Sequence, residues 1–219
     1  MHSPTLKKTM GMGASALAFI ASLCFALSLT ILLVHGGTGA AGIFFYLSSI
    51  LSSLSFSILV YAFMIASRYE DRALSVLSFI ISLIHLINMI LFFHLQYSDF
   101  VLYLFPVERL FLSDYLHFSF FTDTFFFGYL LISFALVFLG PTLHPQTRTQ
   151  RVLRVFMYGH FLFGFLVLFS FFYLPGKEGF KDMTKAALII MIGQCLYSMI
   201  LWVLALDYFR TKPLGKELL

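Results

Sequence analysis

Charge is what this chain has least of. Aspartate, glutamate, lysine and arginine make up 11% of its 219 residues, less than half the roughly 25% of a soluble domain. That scarcity excludes an ordinary water-facing surface. Cysteine is nearly absent too: Cys24 and Cys195 are the only two, each inside an apolar run. Such a pair yields neither a disulfide framework nor a CxxC metal site, and both are expected to be small buried packing residues. Several chemical signatures are missing as well. Without Gly-x-Ser-x-Gly or a rhomboid-like serine, a membrane serine hydrolase is disfavoured. Without a Walker motif, the chain does not itself hydrolyse nucleotides. A retinal protein would need a seventh span with a lysine in it, whereas Lys185 stands at a helix mouth.

What is present is apolar length. Hydrophobic residues make up 60% of the chain, and the mean hydropathy is +0.94. A hydrocarbon core of about 30 Å takes about 20 helical residues to cross. Six segments qualify: 12–34, 42–66, 73–95, 118–139, 152–174 and 184–206. The expected fold is therefore all-α, a single polytopic domain over residues 1–219 built as a bundle of six transmembrane helices. The separators are legible. "HGGTGAAG" is a glycine turn, "SRYEDR" is a charged turn, and Gly140-Pro141 ends a helix because proline removes a donor and clashes with the preceding turn. "PGKEGFKD" is a Pro-Gly turn with Asp182 as the expected N-cap of the last helix. The longest connection, 96–117, is half aliphatic or aromatic. Pro106 is expected to open a short interfacial helix there, with Val107, Leu110 and Phe111 toward lipid and Glu108 and Arg109 toward water.

Orientation follows from the basic residues. Ten lie on the side that holds both termini and the second and fourth turns: Lys7, Lys8, Arg68, Arg72, Arg148, Arg151, Arg154, Arg210, Lys212 and Lys216. Only Arg109, Lys177, Lys181 and Lys185 fall on the other. By the positive-inside rule both termini are cytoplasmic, and a bacterial cytoplasmic membrane is the simplest setting. The same asymmetry accounts for the net charge of +4 and the pI of about 9.1. Nucleic acid is not an expected partner. The first apolar run exceeds a usual signal-peptide h-region and has no clear A-x-A site, so it is expected to remain as a span.

Small residues then set the packing. Ala14, Ala18, Ser22 and Ala26 on the first helix, and Ser49, Ser53 and Ser57 on the second, recur every four residues. Ladders of this kind let helix backbones approach closely in lipid, so a tight antiparallel hairpin is expected, with a serine-lined pore as the alternative. In the third segment, "SFIISLIHLINMILFFH", residues turn by about 100° each. Ser75, Ser78, Ser82, His85 and Asn88 fall on one stripe that cannot cheaply face lipid. His94 points to the opposite face, so the two histidines are not a ligand pair. Gln194 on the last helix lies at nearly the depth of His85, and a hydrogen-bonded set of His85, Asn88 and Gln194 is expected, facing helices 5 and 6.

Three further constellations are weighed against that packing role. His85 with His160, flanked by Gly159 and Gly164, has the ligand types of a bis-histidine b-type haem. No cofactor is required by the sequence, and haem is the minority reading. Near the outer face, Asp114, His117 and Asp123, with His35 and His94, share one level and form a candidate metal or substrate-entry site, although no HxxxH, HExxH or DxxxH spacing supports it. Arg148, Arg151 and Arg154 recur every three residues at the start of helix 5 and are placed to meet anionic lipid headgroups. The expected function is that of a small transporter or the membrane subunit of a larger complex, with His85, Asn88, Gln194 and Asp123 on a substrate or proton path. Membrane lipids and other membrane subunits are its expected partners.

Overall fold

The computed structural model describes residues 4–35, 40–104, 114–173 and 180–211, with side chains described over 5–31, 33–34, 44–91, 127–166 and 189–211. Among these residues there are six α-helices and no strand. They are α1 (Pro4–His35), α2 (Ala40–Ala66), α3 (Arg72–Leu104), α4 (Asp114–Leu139), α5 (Arg148–Tyr173) and α6 (Phe180–Thr211), with a short 3-10 turn at Gly140–Thr142. Four described stretches are long and apolar enough to cross a membrane: Thr5–Ile31, Phe44–Ala66, Arg72–Leu91 and Ile189–Thr211. The two shorter helices, α4 and α5, have 26 residues each, about 39 Å at 1.5 Å per residue.

The helix ends have local causes. α4 stops at Leu139, where Gly140 and Pro141 tighten the chain into the 3-10 turn. α5 opens with a capping box. The Gln150 side chain accepts from the backbone N–H groups of Gln146 (2.7 Å) and Thr147 (3.3 Å), and the Gln150 N–H donates to Thr147 Oγ1 at 3.2 Å. Several helices extend beyond the expected spans, with α1 beginning at Pro4 rather than at 12. α3 runs nine residues beyond the expected end at 95, because "QYSDFVLYL" contains no helix breaker and the first one is Pro106. α6 already begins at Phe180, so Asp182 is its third residue rather than its cap. The interfacial helix expected from Pro106 falls in 105–113, outside the described residues.

Each helix packs on its neighbours in sequence, and α1 also packs on α6, closing the six into a ring. The polarity of this ring is the reverse of a water-soluble protein's. Isoleucine and leucine cover the outside, as with Ile80, Ile84 and Ile87 on α3 or Leu23 and Leu27 on α1, while the serines are buried. Each of the six helix interfaces carries a hydrogen bond in which a serine hydroxyl takes part, as donor or acceptor. Ser48 Oγ donates to Ser28 Oγ (3.0 Å) across α1–α2, and Ser57 Oγ donates to the Ser82 carbonyl (2.9 Å) across α2–α3. Ser78 Oγ donates to the Ala135 carbonyl (2.6 Å) across α3–α4, and Ser133 Oγ to the His160 carbonyl (3.2 Å) across α4–α5. Ser198 Oγ lies 3.1 Å from His160 Nε2 across α5–α6, and Trp202 Nε1 donates to Ser22 Oγ (2.8 Å) where α6 meets α1. Interhelical bonds of this kind contribute about 0.6–2 kcal/mol each in a membrane.

The small-residue ladder of α1 thus serves α6 as well as the expected α2 hairpin. Two apolar clusters fill the ring's axis. One, at the end where α1 begins and α6 ends, centres on Phe63, whose ring lies 4.8 Å from Phe209 and 5.4 Å from Tyr208. The other brings Phe25, Leu29, Phe45, Met89, Tyr129 and Met191 together nearer the opposite end. Gly11 lets α6 dock at the first of these, because a Cβ there would stand 2.2 Å from the Phe209 ring. Gly11→Ala is therefore expected to destabilise the bundle by about 1–3 kcal/mol, the usual cost of overpacking, seen as a lower thermal unfolding midpoint in detergent. Gly13→Ala, which meets nothing within 4 Å, is the matched control and is expected to leave the midpoint unchanged.

A central polar cavity as candidate functional site

The stripe on α3 is the starting point. Ser75, Ser78, Ser82 and His85 are all buried, and the next buried residue is Met89 rather than Asn88. Buried positions 75, 78, 82, 85 and 89 alternate steps of three and four, the spacing of a seam that stays turned toward the bundle. Asn88 sits half-buried on the shoulder of this seam. Ahead of it α4 offers Gly128, where a Cβ would lie 3.1 Å from Asn88 Nδ2 and 3.3 Å from His85 Nδ1. The missing side chain is what allows both polar groups to approach the α4 backbone.

Between the two apolar clusters, at mid-height, lies a cavity to which all six helices contribute. Ser22 and Phe25 come from α1, Ser49, Ser52, Ser53 and Phe56 from α2, and His85 and Met89 from α3. Tyr129 and Ile132 come from α4, His160 from α5, and Gln194, Cys195, Ser198 and Trp202 from α6. The space open to the centres of water molecules is about 30 Å³. One water takes about 10–15 Å³ by that measure, so about two fit.

The lining groups differ in how well they are satisfied. Ser49 Oγ donates to the Tyr46 carbonyl and Ser53 Oγ to the Ser49 carbonyl, both at 2.8 Å. With their protons committed to their own helix, these hydroxyls offer the cavity only lone pairs. His160 is fully engaged: Nδ1 lies 3.1 Å from Ser133 Oγ and Nε2 lies 3.1 Å from Ser198 Oγ. Ser133 directs its own proton at the Tyr129 and His160 carbonyls, which assigns the ring proton to Nδ1 and leaves Nε2 to accept from Ser198. His85 and Gln194 are the opposite case. Both are 2% exposed, and neither His85 Nδ1 nor either amide atom of Gln194 has a hydrogen-bond partner among the described residues. The His85 ring stands edge-on to Phe56 at 6.2 Å, with Nδ1 next to the Gly128 backbone but without a hydrogen bond of ordinary geometry.

These positions revise the sequence-based site. His85 and Gln194 do meet at one level, yet as separate walls of a cavity rather than as a hydrogen-bonded set. α3 itself packs on α2 and α4, so the cavity, not a helix contact, is what joins its stripe to α5 and α6. His160 lines the same cavity as His85, but the pair does not suit haem. Both His160 nitrogens are taken, and a porphyrin is many times larger than the available space. The two flanking glycines, Gly159 and Gly164, leave no room for a flat macrocycle either. A Cβ on Gly159 would stand 2.2 Å from the Tyr197 hydroxyl, and one on Gly164 would stand 2.8 Å from Ser133 Oγ.

Among the described residues no three His, Cys, Asp or Glu side chains gather closely enough to hold a metal ion. The side chains of the outer candidates, Asp114, His117, Asp123, His35 and His94, lie outside the described set. At the opposite end, Arg148 and Arg151 are exposed, while Arg154 places its guanidinium 5.9 Å from the centre of the Tyr158 ring. Asp71 and His144 tie the α2–α3 turn to the α4–α5 connection at 2.5 Å. Asp207 and Arg210, three residues apart on α6, form no ion pair.

Sequence reasoning missed Ser133, Ser198, Cys195, Tyr129 and Trp202 as members of the site. Ser133 and Ser198 each stand in an apolar helix near the level of the histidines, and that coincidence of depth was their one available signal. Comparison of the chain with protein-family models, curated proteins and solved structures returns no match.

Two outcomes follow from the geometry. His160→Ala removes two interhelical bonds and is expected to cost about 1–3 kcal/mol, read as a lower unfolding midpoint in detergent. Haemin added to the purified protein is expected to produce no reduced b-type α-band. An α-band abolished by both His85→Ala and His160→Ala would reverse the assignment of His160 to structure.

Proposed function

We propose that this protein is a small transporter: six membrane spans with both termini cytoplasmic, in a bacterial cytoplasmic membrane, and with the central cavity as its solute site. The observation that supports this most is that all six helices contribute to a cavity at mid-height, where serine, histidine and glutamine side chains stand among aromatic ones and two buried polar side chains keep atoms without partners among the described residues. Polar groups in a membrane interior are costly unless they are paired or used, and among the described residues no other fully buried side-chain nitrogen or oxygen lacks a partner. The apolar clusters on either side of the cavity provide the barriers that a solute site between two aqueous phases needs. The lengths of α4 and α5, and their place in the ring between α3 and α6, support counting them as spans alongside the four stretches that qualify by length and apolarity.

In this reading Gln194 and His85 contact the solute, Asn88 flanks His85, and Asp123 lies on the approach from the outer side, about one turn from the end of the expected fourth span. The serines hold the ring closed. Arg148 and Arg151 meet anionic headgroups on the cytoplasmic face, worth about 1 kcal/mol each, with Arg154 steadied by Tyr158. The excess of lysine and arginine on the side of both chain ends sets the orientation.

Purified protein in proteoliposomes, tested against a panel of small neutral and ionic solutes by osmotic swelling, checks the transport reading. Wild type is expected to raise permeability to at least one solute above that of protein-free vesicles, and Gln194→Leu to abolish the gain. Identical traces with and without protein over the whole panel would sink it. Tags at the two ends are expected to be accessible from the cytoplasm alone, and ends found on opposite faces would exclude six spans.

A further inference from the structure

Gln194 carries more information than its burial. A side-chain amide presents a donor and an acceptor side by side, and here both are left over: neither Nε2 nor Oε1 has a partner among the described residues, with the residue 2% exposed at the cavity wall. Buried polar atoms in native structures are nearly always hydrogen-bonded, so the pair points to a ligand. The cavity lining contains no Asp, Glu, Lys or Arg. An ion entering it would lose its hydration and find no counter-charge, which is unfavourable in a low-dielectric, lipid-embedded interior.

The face that matches a free amide is another donor and acceptor in reversed order, as carried by a primary amide or a urea. Ser49 and Ser53, whose protons are already committed to α2 carbonyls, add acceptors for the remaining N–H groups of such a molecule. The space, about that of two waters, suits a molecule of only a few non-hydrogen atoms.

We propose that the central cavity binds a small uncharged molecule of the amide or urea class, held by paired hydrogen bonds to the Gln194 side chain. This rests on the transport reading and deepens it by naming the class of solute. Trp202, the single tryptophan of the chain, lines the same cavity and reports on its occupancy.

The test is a titration of Trp202 fluorescence in the full-length protein in detergent, with acetamide and urea at non-denaturing concentrations against NaCl, KCl and sodium acetate. Acetamide or urea is expected to give a saturable change and the salts none. In Gln194→Leu the half-saturating concentration is expected to rise about tenfold or more, two neutral hydrogen bonds being lost, with the ligand-free emission unchanged as evidence of folding. Should that variant misfold, the wild-type contrast between amides and salts still decides the matter, and Ser49→Ala provides a milder variant expected to weaken binding by a few-fold. Saturation by a salt but not by the amides overturns the neutral-solute assignment and leaves transport standing. No saturation by any probe, in protein whose proteoliposomes still pass a solute, shows that the cavity holds resident water alone and overturns the proposal. No saturation together with no flux ends both readings.

Discussion

Everything in this bundle depends on one constraint: in lipid, a hydroxyl, imidazole or amide must find its partner inside the protein. Hydrophobic burial does little to join the helices, because acyl chains are as apolar as leucine. What joins them is contact between small residues and a hydroxyl hydrogen bond at each interface. A ring of six helices is a natural outcome. It gives every helix two neighbours and one inward face, so each helix can place a serine, histidine or glutamine inward and keep isoleucine and leucine outward.

A ring also leaves an axis, and here the axis holds the cavity. Aromatic and aliphatic side chains close it on both sides of mid-height, and polar groups occupy the middle. The two histidines show how differently similar residues are used there. His160 bridges Ser133 and Ser198 and holds α4, α5 and α6 together. His85, equally buried, keeps a nitrogen without a partner among the described residues beside a cavity. A paired histidine contributes to stability, whereas one without a partner costs stability unless something else occupies the site. That difference lies in the partners each ring finds and not in the residue type.

Glycines tune the same geometry. Gly11 admits the Phe209 ring, Gly159 admits the Tyr197 hydroxyl on its way to the Phe156 carbonyl, and Gly128 opens α4 to His85 and Asn88. In each case the absent side chain is already replaced by a partner from another helix. Flanking glycines therefore do not by themselves signal a cofactor slot, and here they mark close helix approach.

By itself, the sequence determined the helical class, the approximate number and ends of the helices, and the stripe from Ser75 to His85. These follow from local rules: apolar length, a 100° turn per residue, and breakers such as Gly140-Pro141. It also placed His85 and Gln194 at one depth, since depth is only a count of residues from a helix end. Tertiary structure alone decided which neighbour each serine met, that α6 returns to α1, that His160 is satisfied while Gln194 is not, and that six inward faces leave a cavity of about two waters between them. Those outcomes depend on the azimuth of each helix relative to the others. Azimuth is set by packing across interfaces distant in sequence, such as Trp202 on Ser22, and no periodicity within a single helix encodes it.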